Sequence, residues 1–198
     1  EASRALFVDW LRDEPFSSRP ALMAGYLADL INPTPTQAIE LTRVGVRADA
    51  QDAGLRNNLA FFLANAGDLA QAEVEAAAAL RYQGKPDEAP ITATRGFIAF
   101  RRGDLERGRQ LYREAICLAL AQGNEVVATA AQLYFAREAF LNELPDARAL
   151  LDGALKAARA RPHADLVAIV SRISRDVPPT MLSVPFMPDA VLPEGSAD

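Results

Sequence analysis

The sequence is short of the residues from which most site chemistry is built. It has one cysteine, Cys117, and one histidine, His163. A lone cysteine cannot close an internal disulfide, which removes the disulfide framework of small secreted domains. A lone histidine excludes a multi-histidine metal site and leaves little for triad chemistry. No apolar run approaches the roughly 20 residues that cross a bilayer, so no membrane insertion is expected. No basic block stands out, and 21 basic against 26 acidic residues leave a net charge of −5. That balance argues against nucleic acid or an anionic membrane as the main partner. Gly-rich phosphate loops, paired Cys or His spacings and a nucleophile elbow are all missing. The expectation is therefore a protein without metal or cofactor, and not an enzyme.

What is present favours helix. Half of the 198 residues are apolar and 24% are charged, an ordinary globular balance. Alanine makes up about a fifth of the chain, and Leu, Arg, Glu, Gln and Asp supply much of the rest. β-Branched and aromatic runs of the kind that build strands are scarce. The fold class expected is all-α. The same Ala- and Arg-rich composition points to a GC-rich bacterial genome. The chain opens at Glu1 without a methionine, so an excised or processed piece of a longer chain is expected, cytoplasmic by preference and with the periplasm left open.

Internal self-similarity decides the architecture. The seam Gly67-Asp68-Leu69-Ala70-Gln71-Ala72 matches Gly103-Asp104-Leu105-Glu106-Arg107-Gly108 at a shift of 36 residues. Small or apolar residues then follow at helical spacing: Ala76 and Ala79 after the first seam, Tyr112 and Ala115 after the second. The frame extends to Ala147, Leu151 and Ala154, more loosely to Ala38, Thr42 and Gly45, and to Ala2 and Leu6. From Ala2 onward the successive shifts are 36, 34, 36 and 39 residues.

Each unit divides into two helical runs. Helices are expected at 19–31 and 36–48, 53–66 and 69–82, 90–102 and 105–122, and 125–142 and 145–160. Gly67, Gly84-Lys85-Pro86, Gly103, Gly123-Asn124 and Pro145 supply the breaks. Asp68 and Asp104 stand where N-caps are wanted. Residues 2–13 resemble the second helix of an earlier unit, and 163–175 a single closing helix with Asp165 in its first turn. Small residues at Ala60, Gly96, Ala72, Gly108 and Ala147 would let paired helices approach closely. A lone hairpin leaves an apolar face in water, and stacking hairpins into an α-solenoid buries it.

These residues carry a family resemblance. The pattern resembles the tetratricopeptide repeat: Arg56-x2-Leu59-Ala60-x2-Leu63, then Ala72-x3-Ala76, with Pro86 beyond, and next Thr92-x2-Arg95-Gly96-x2-Ala99, then Gly108-x3-Tyr112. It covers about residues 2 to 160, with the two central units matching best. The resemblance implies a right-handed superhelix of about four degenerate hairpins in a helical domain over 1–176, holding a protein or peptide partner in a concave groove. Carried onto this chain, the groove is lined from the first helices by Leu22, Met23 and Tyr26, then Asn57, Asn58, Phe61 and Asn65, then Phe97, Phe100 and Arg101. Asn offers both a donor and an acceptor to a peptide backbone. The same three Asn also fit exposed polar positions or local caps, and Phe97 fits the inter-repeat core. Of the paired Lys, Arg and Asn by which some relatives grip a C-terminal carboxylate, only Asn58 has a counterpart, since Pro90 and Thr94 stand where the next repeat should be basic. That argues against an adaptor for chaperone tails.

Four further expectations follow. Cys117, among Ile116, Leu118 and Leu120, reads as a buried small hydrophobe. His163 reads as a surface residue. Arg101, Arg102, Arg107, Arg109 and Arg113, interleaved with Asp104, Glu106 and Glu114, read as a solvated, salt-bridged face. The tail 177–198 is rich in proline, which forbids regular helix. Anchored by Met181, Leu182, Phe186 and Met187, it is expected to lie extended along an apolar surface, the groove preferred. A structural role in homo-oligomerisation is the alternative to partner binding.

Overall fold

The computed structural model describes Asp9 and residues 18–31, 35–84 and 87–178. The expected helix over 2–13 and the expected extended tail lie outside these, apart from Asp9 and the first two tail residues. The described residues form nine helices and no strand: α1 Ser18–Ile31, α2 Pro35–Ala48, α3 Ala53–Asn65, α4 Leu69–Tyr82, α5 Glu88–Arg101, α6 Leu105–Ala121, α7 Glu125–Leu141, α8 Ala147–Ala160 and α9 Ala164–Asp176. The protein is all-α, and the boundaries fall within two residues of those expected from the breakers. The chain divides into two compact units, the first ending at Ala131 and the second beginning at Gln132, inside α7.

The helix ends are local chemistry repeated. At the end of α3 the Asp68 N–H donates to the Leu63 carbonyl and the Gly67 N–H to the Ala64 carbonyl, with Gly67 at φ +88°. This is the Schellman arrangement, in which a left-handed residue satisfies the orphan carbonyls of the last turn. The same bond pair closes α5 at Gly103-Asp104, α6 at Gly123-Asn124 and α7 at Glu143-Leu144. Glu143 holds the left-handed position at φ 54° without being glycine. The residue after the left-handed one often caps the next helix. Asp68 Oδ1 accepts from the Gln71 N–H, Asp104 Oδ1 from Arg107 and Asn124 Oδ1 from Val127. With only three residues between their ends at these turns, the successive helices run antiparallel.

The first unit is built from hairpins. Helices α1 and α2 pack together, as do α3 with α4 and α5 with α6; α2 then packs on α3, α4 on α5, and the first helices α1, α3 and α5 also touch in succession. The small-residue seam lies at these contacts. Ala38, Thr42, Ala72, Ala76, Ala79, Tyr112 and Ala115 are all buried, as are Gly45 and Gly108. A Cβ added at Gly108 would stand 2.5 Å from the Phe100 ring, so Gly is what allows α5 and α6 to close. Ala89, Ala119 and Ala128 with Leu118 and Val127 continue the core into the start of α7.

Cys117 corrects an expectation: it is exposed. The buried stripe of α6 is Gly108, Leu111, Tyr112, Ala115 and Ala119, at helical spacing. Cys117, two positions past Ala115, points to the opposite side, as does Leu120 at 52% exposure. Apolar neighbours along a sequence do not share a face of a helix.

In the second unit the repeat frame again marks the core, with Ala147, Leu151 and Ala154 buried on α8. A charged network is buried there as well. Arg137 and Glu138 on α7 are 8% and 1% exposed. Arg137 Nη1 donates to Glu138 Oε1 at 2.6 Å and its Nε to Asp176 Oδ2 at the end of α9, also at 2.6 Å. At the start of α9, the half-exposed His163 is the N-cap, its Nδ1 accepting from the Asp165 N–H.

Candidate functional site

Four of the expected residues share one face of α3. At 100° per residue, Asn57, Phe61, Asn65 and Asn58 fall within about 100° of the helix circumference, in that order. The core residues Leu55, Leu59, Phe62 and Leu63 occupy the rest. Asn58, Phe61 and Asn65 are half-buried. Asn57 is more enclosed than a groove-lining position would be, at 9% exposure, and its Oδ1 has no hydrogen-bond partner among the described residues. It does not serve as a local cap; Asp52 does that for α3.

Phe61 carries the face across to α5. Its ring lies 5.2 Å from that of Phe97 and 5.8 Å, edge-on, from Phe62. Phe97 is 1% exposed, so it is core. Its ring is covered by Arg101, whose guanidinium carbon sits 4.9 Å above the centroid. An exposed cation over an aromatic face contributes about 0.5–1 kcal/mol and holds the arginine at a defined place. Phe61, Phe97 and Arg101 thus form one contact chain across two successive first helices. Phe100 packs inside its own hairpin. It is buried in the α5–α6 hairpin against Gly108 and Tyr112, its ring 5.9 Å from the tyrosine's. Tyr26, Leu22 and Met23 are half-buried on α1.

A sequence signal for this face was present in pairs. Gly25-Tyr26, Ala60-Phe61 and Gly96-Phe97 recur at shifts of 35 and 36 residues. The small residue faces the second helix of its own hairpin: a Cβ at Gly25 would meet Thr42, and one at Gly96 would meet Tyr112 and the Gly108 carbonyl. The aromatic next to it, turned by 100°, is thereby directed away from that hairpin partner.

Arg101, Arg102, Arg107 and Arg113 are exposed, as the expected solvated face requires. Arg102 pairs with Glu73 of the preceding hairpin, and Arg107 Nη1 donates to Gln110 at 2.8 Å. Arg56 pairs with Glu75 at 2.6 Å and lies 5.9 Å from the Tyr82 ring centroid, tying α3 to α4.

Chemically, the α3–α5 face offers amide donors and acceptors, an aromatic surface and one fixed cation. Among the described residues no group of three or more His, Cys, Asp and Glu is placed to hold a metal ion. Nor is any described helix long and apolar enough to cross a membrane. No family model matches the chain, and no curated protein matches it in sequence.

Proposed function

We propose that the chain is a protein-interaction module, its hairpins stacked as a tetratricopeptide-like α-solenoid, which holds an extended peptide segment of a partner against the first-helix face. The observation that carries the reading is the α3–α5 surface, where Asn57, Asn58 and Asn65 flank a Phe61–Phe97–Arg101 contact chain. Three features support it. Successive first helices touch one another, which is how a stacked-hairpin array makes a continuous face. Asn is a poor helix former, so three on one face of α3 need a reason beyond helix formation. The Asn57 Oδ1 is buried without a partner among the described residues, a cost that a donor on a bound peptide would remove.

The test is capture of partners from the native lysate by the chain and by an Asn57→Ala, Asn58→Ala, Asn65→Ala, Arg101→Ala variant, with circular dichroism confirming that both are folded. Loss of the captured species from the variant is the expected result. Equal capture by both proteins refutes the assignment of this face. Light scattering runs alongside: assembly of the chain with itself that the variant abolishes would make the partner a second copy.

A further inference from the structure

A cavity of about 450 Å³ lies between α4, α5 and α6, within the range of small-molecule sites. It opens on a different side of α5 from the recognition face: Arg95, Ile98, Ala99 and Arg102 line it, whereas Phe97 and Arg101 project from the other side. One residue on its wall departs from the repeat pattern. In the repeat frame Arg95 stands 36 positions after Leu59. Leu59 is 2% exposed and fills the core of its own hairpin. At the same place in the next hairpin the chain carries an arginine, half-buried on the cavity wall, with no hydrogen bond or ion pair to any described residue.

Neither acid in the cavity satisfies it. Glu73 is taken by Arg102, and Asp104 Oδ1 accepts from the Arg107 backbone N–H at the start of α6. The Arg107 guanidinium, also on the wall, bonds the neutral Gln110. Two guanidinium groups without a carboxylate partner among the described residues therefore face a space whose apolar wall is Ala76, Ala77, Leu80, Ile98 and Leu111, beside the Arg102–Glu73 pair and Asp104. A half-buried guanidinium is stabilised by a planar anion that accepts two parallel hydrogen bonds, as carboxylate and phosphate do.

We propose that this cavity binds a small amphipathic anion, its carboxylate or phosphate group on Arg95 and Arg107 and its apolar body against the alanine and leucine wall. This site is independent of the peptide face, so the two fail separately.

The experiment is calorimetric titration of the full chain with octanoate, octyl phosphate and neutral octanamide. Either anion is expected to bind one to one, the tighter of the two naming the head group, and octanamide at least about tenfold more weakly, the ratio one charge-assisted hydrogen bond commands. Arg95→Leu restores the residue type of the preceding repeat, so it should fold, and it should weaken the anion at least about tenfold. Arg107→Gln, an exposed change, should weaken it several-fold. The Asn and Arg101 variant of the peptide face should bind the anion as the parent does. Failure of both anions to bind, equal binding of octanamide, or undiminished binding by both the Arg95→Leu and Arg107→Gln chains overturns the proposal.

Discussion

The same chemical change, Gly to Ala, should have opposite signs at two helical glycines. In a helix interior Ala is favoured over Gly by about 1 kcal/mol. Gly153 on α8 is exposed and a Cβ there meets nothing within 4 Å, so Gly153→Ala keeps the whole of that gain. At Gly108 the added methyl would lie 2.5, 2.8 and 3.0 Å from three carbons of the Phe100 ring. That ring is 2% exposed and backed by Tyr112, so it has no open side to move into. Overpacking of this kind costs about 1–3 kcal/mol, and three simultaneous ring conflicts put it in the upper half of that range. Subtracting the propensity gain leaves Gly108→Ala less stable by about 1–2 kcal/mol. At about 2–4 °C per kcal/mol for a chain of this size, its melting temperature should fall by about 2–8 °C, while that of Gly153→Ala rises by about 2–4 °C. Circular dichroism melts measure both, and urea unfolding with an unchanged slope would show that the native state is what moved. Phe100→Leu should cost less in the Gly108→Ala background than in the parent, because it removes the conflicting ring. A Gly108→Ala chain that melts at or above the parent would refute the assigned α5–α6 closure.

Other outcomes follow from single sites. Arg137→Met should destabilise, by up to about 3–5 kcal/mol, because it takes the guanidinium away from the 1% exposed Glu138 carboxylate. Adding Glu138→Leu should recover most of that loss, which equilibrium unfolding of the two variants would measure. Glu143→Gly should stabilise by about 0.5–1 kcal/mol, since a residue at φ 54° gives up its side-chain strain. Asp104→Ala removes a cap to the Arg107 N–H and should cost about 1 kcal/mol. The quadruple change at Asn57, Asn58, Asn65 and Arg101 should leave the stability within about 1 kcal/mol of the parent, the Arg101–Phe97 stack being an exposed contact of that size.

The sequence by itself determined where each described helix begins and ends, because those choices are settled within a few residues. Gly67, Gly103 and Gly123 hold left-handed backbone that other residues resist, and Asp68, Asp104 and Asn124 complete the hydrogen bonding on the spot. The same local reach explains why the seam at Ala72, Ala76 and Ala79 was legible: a helix puts fixed spacings on one face whatever lies opposite. Tertiary structure decided what the opposite side was. Cys117 looked buried beside Ile116 and Leu118, yet α6 turns it outward once Gly108 and Tyr112 are given to α5. Asn57 looked like an open groove position, yet its enclosure depends on what packs beside α3. Arg137 meets Asp176 across 39 residues of chain, a pairing that no local spacing specifies. Arg95 stood in plain view in its repeat, but that it lines a cavity together with residues of α4 and α6 shows only in the fold. Burial belongs to pairs of surfaces, and only one surface of each pair is written in any short stretch of sequence.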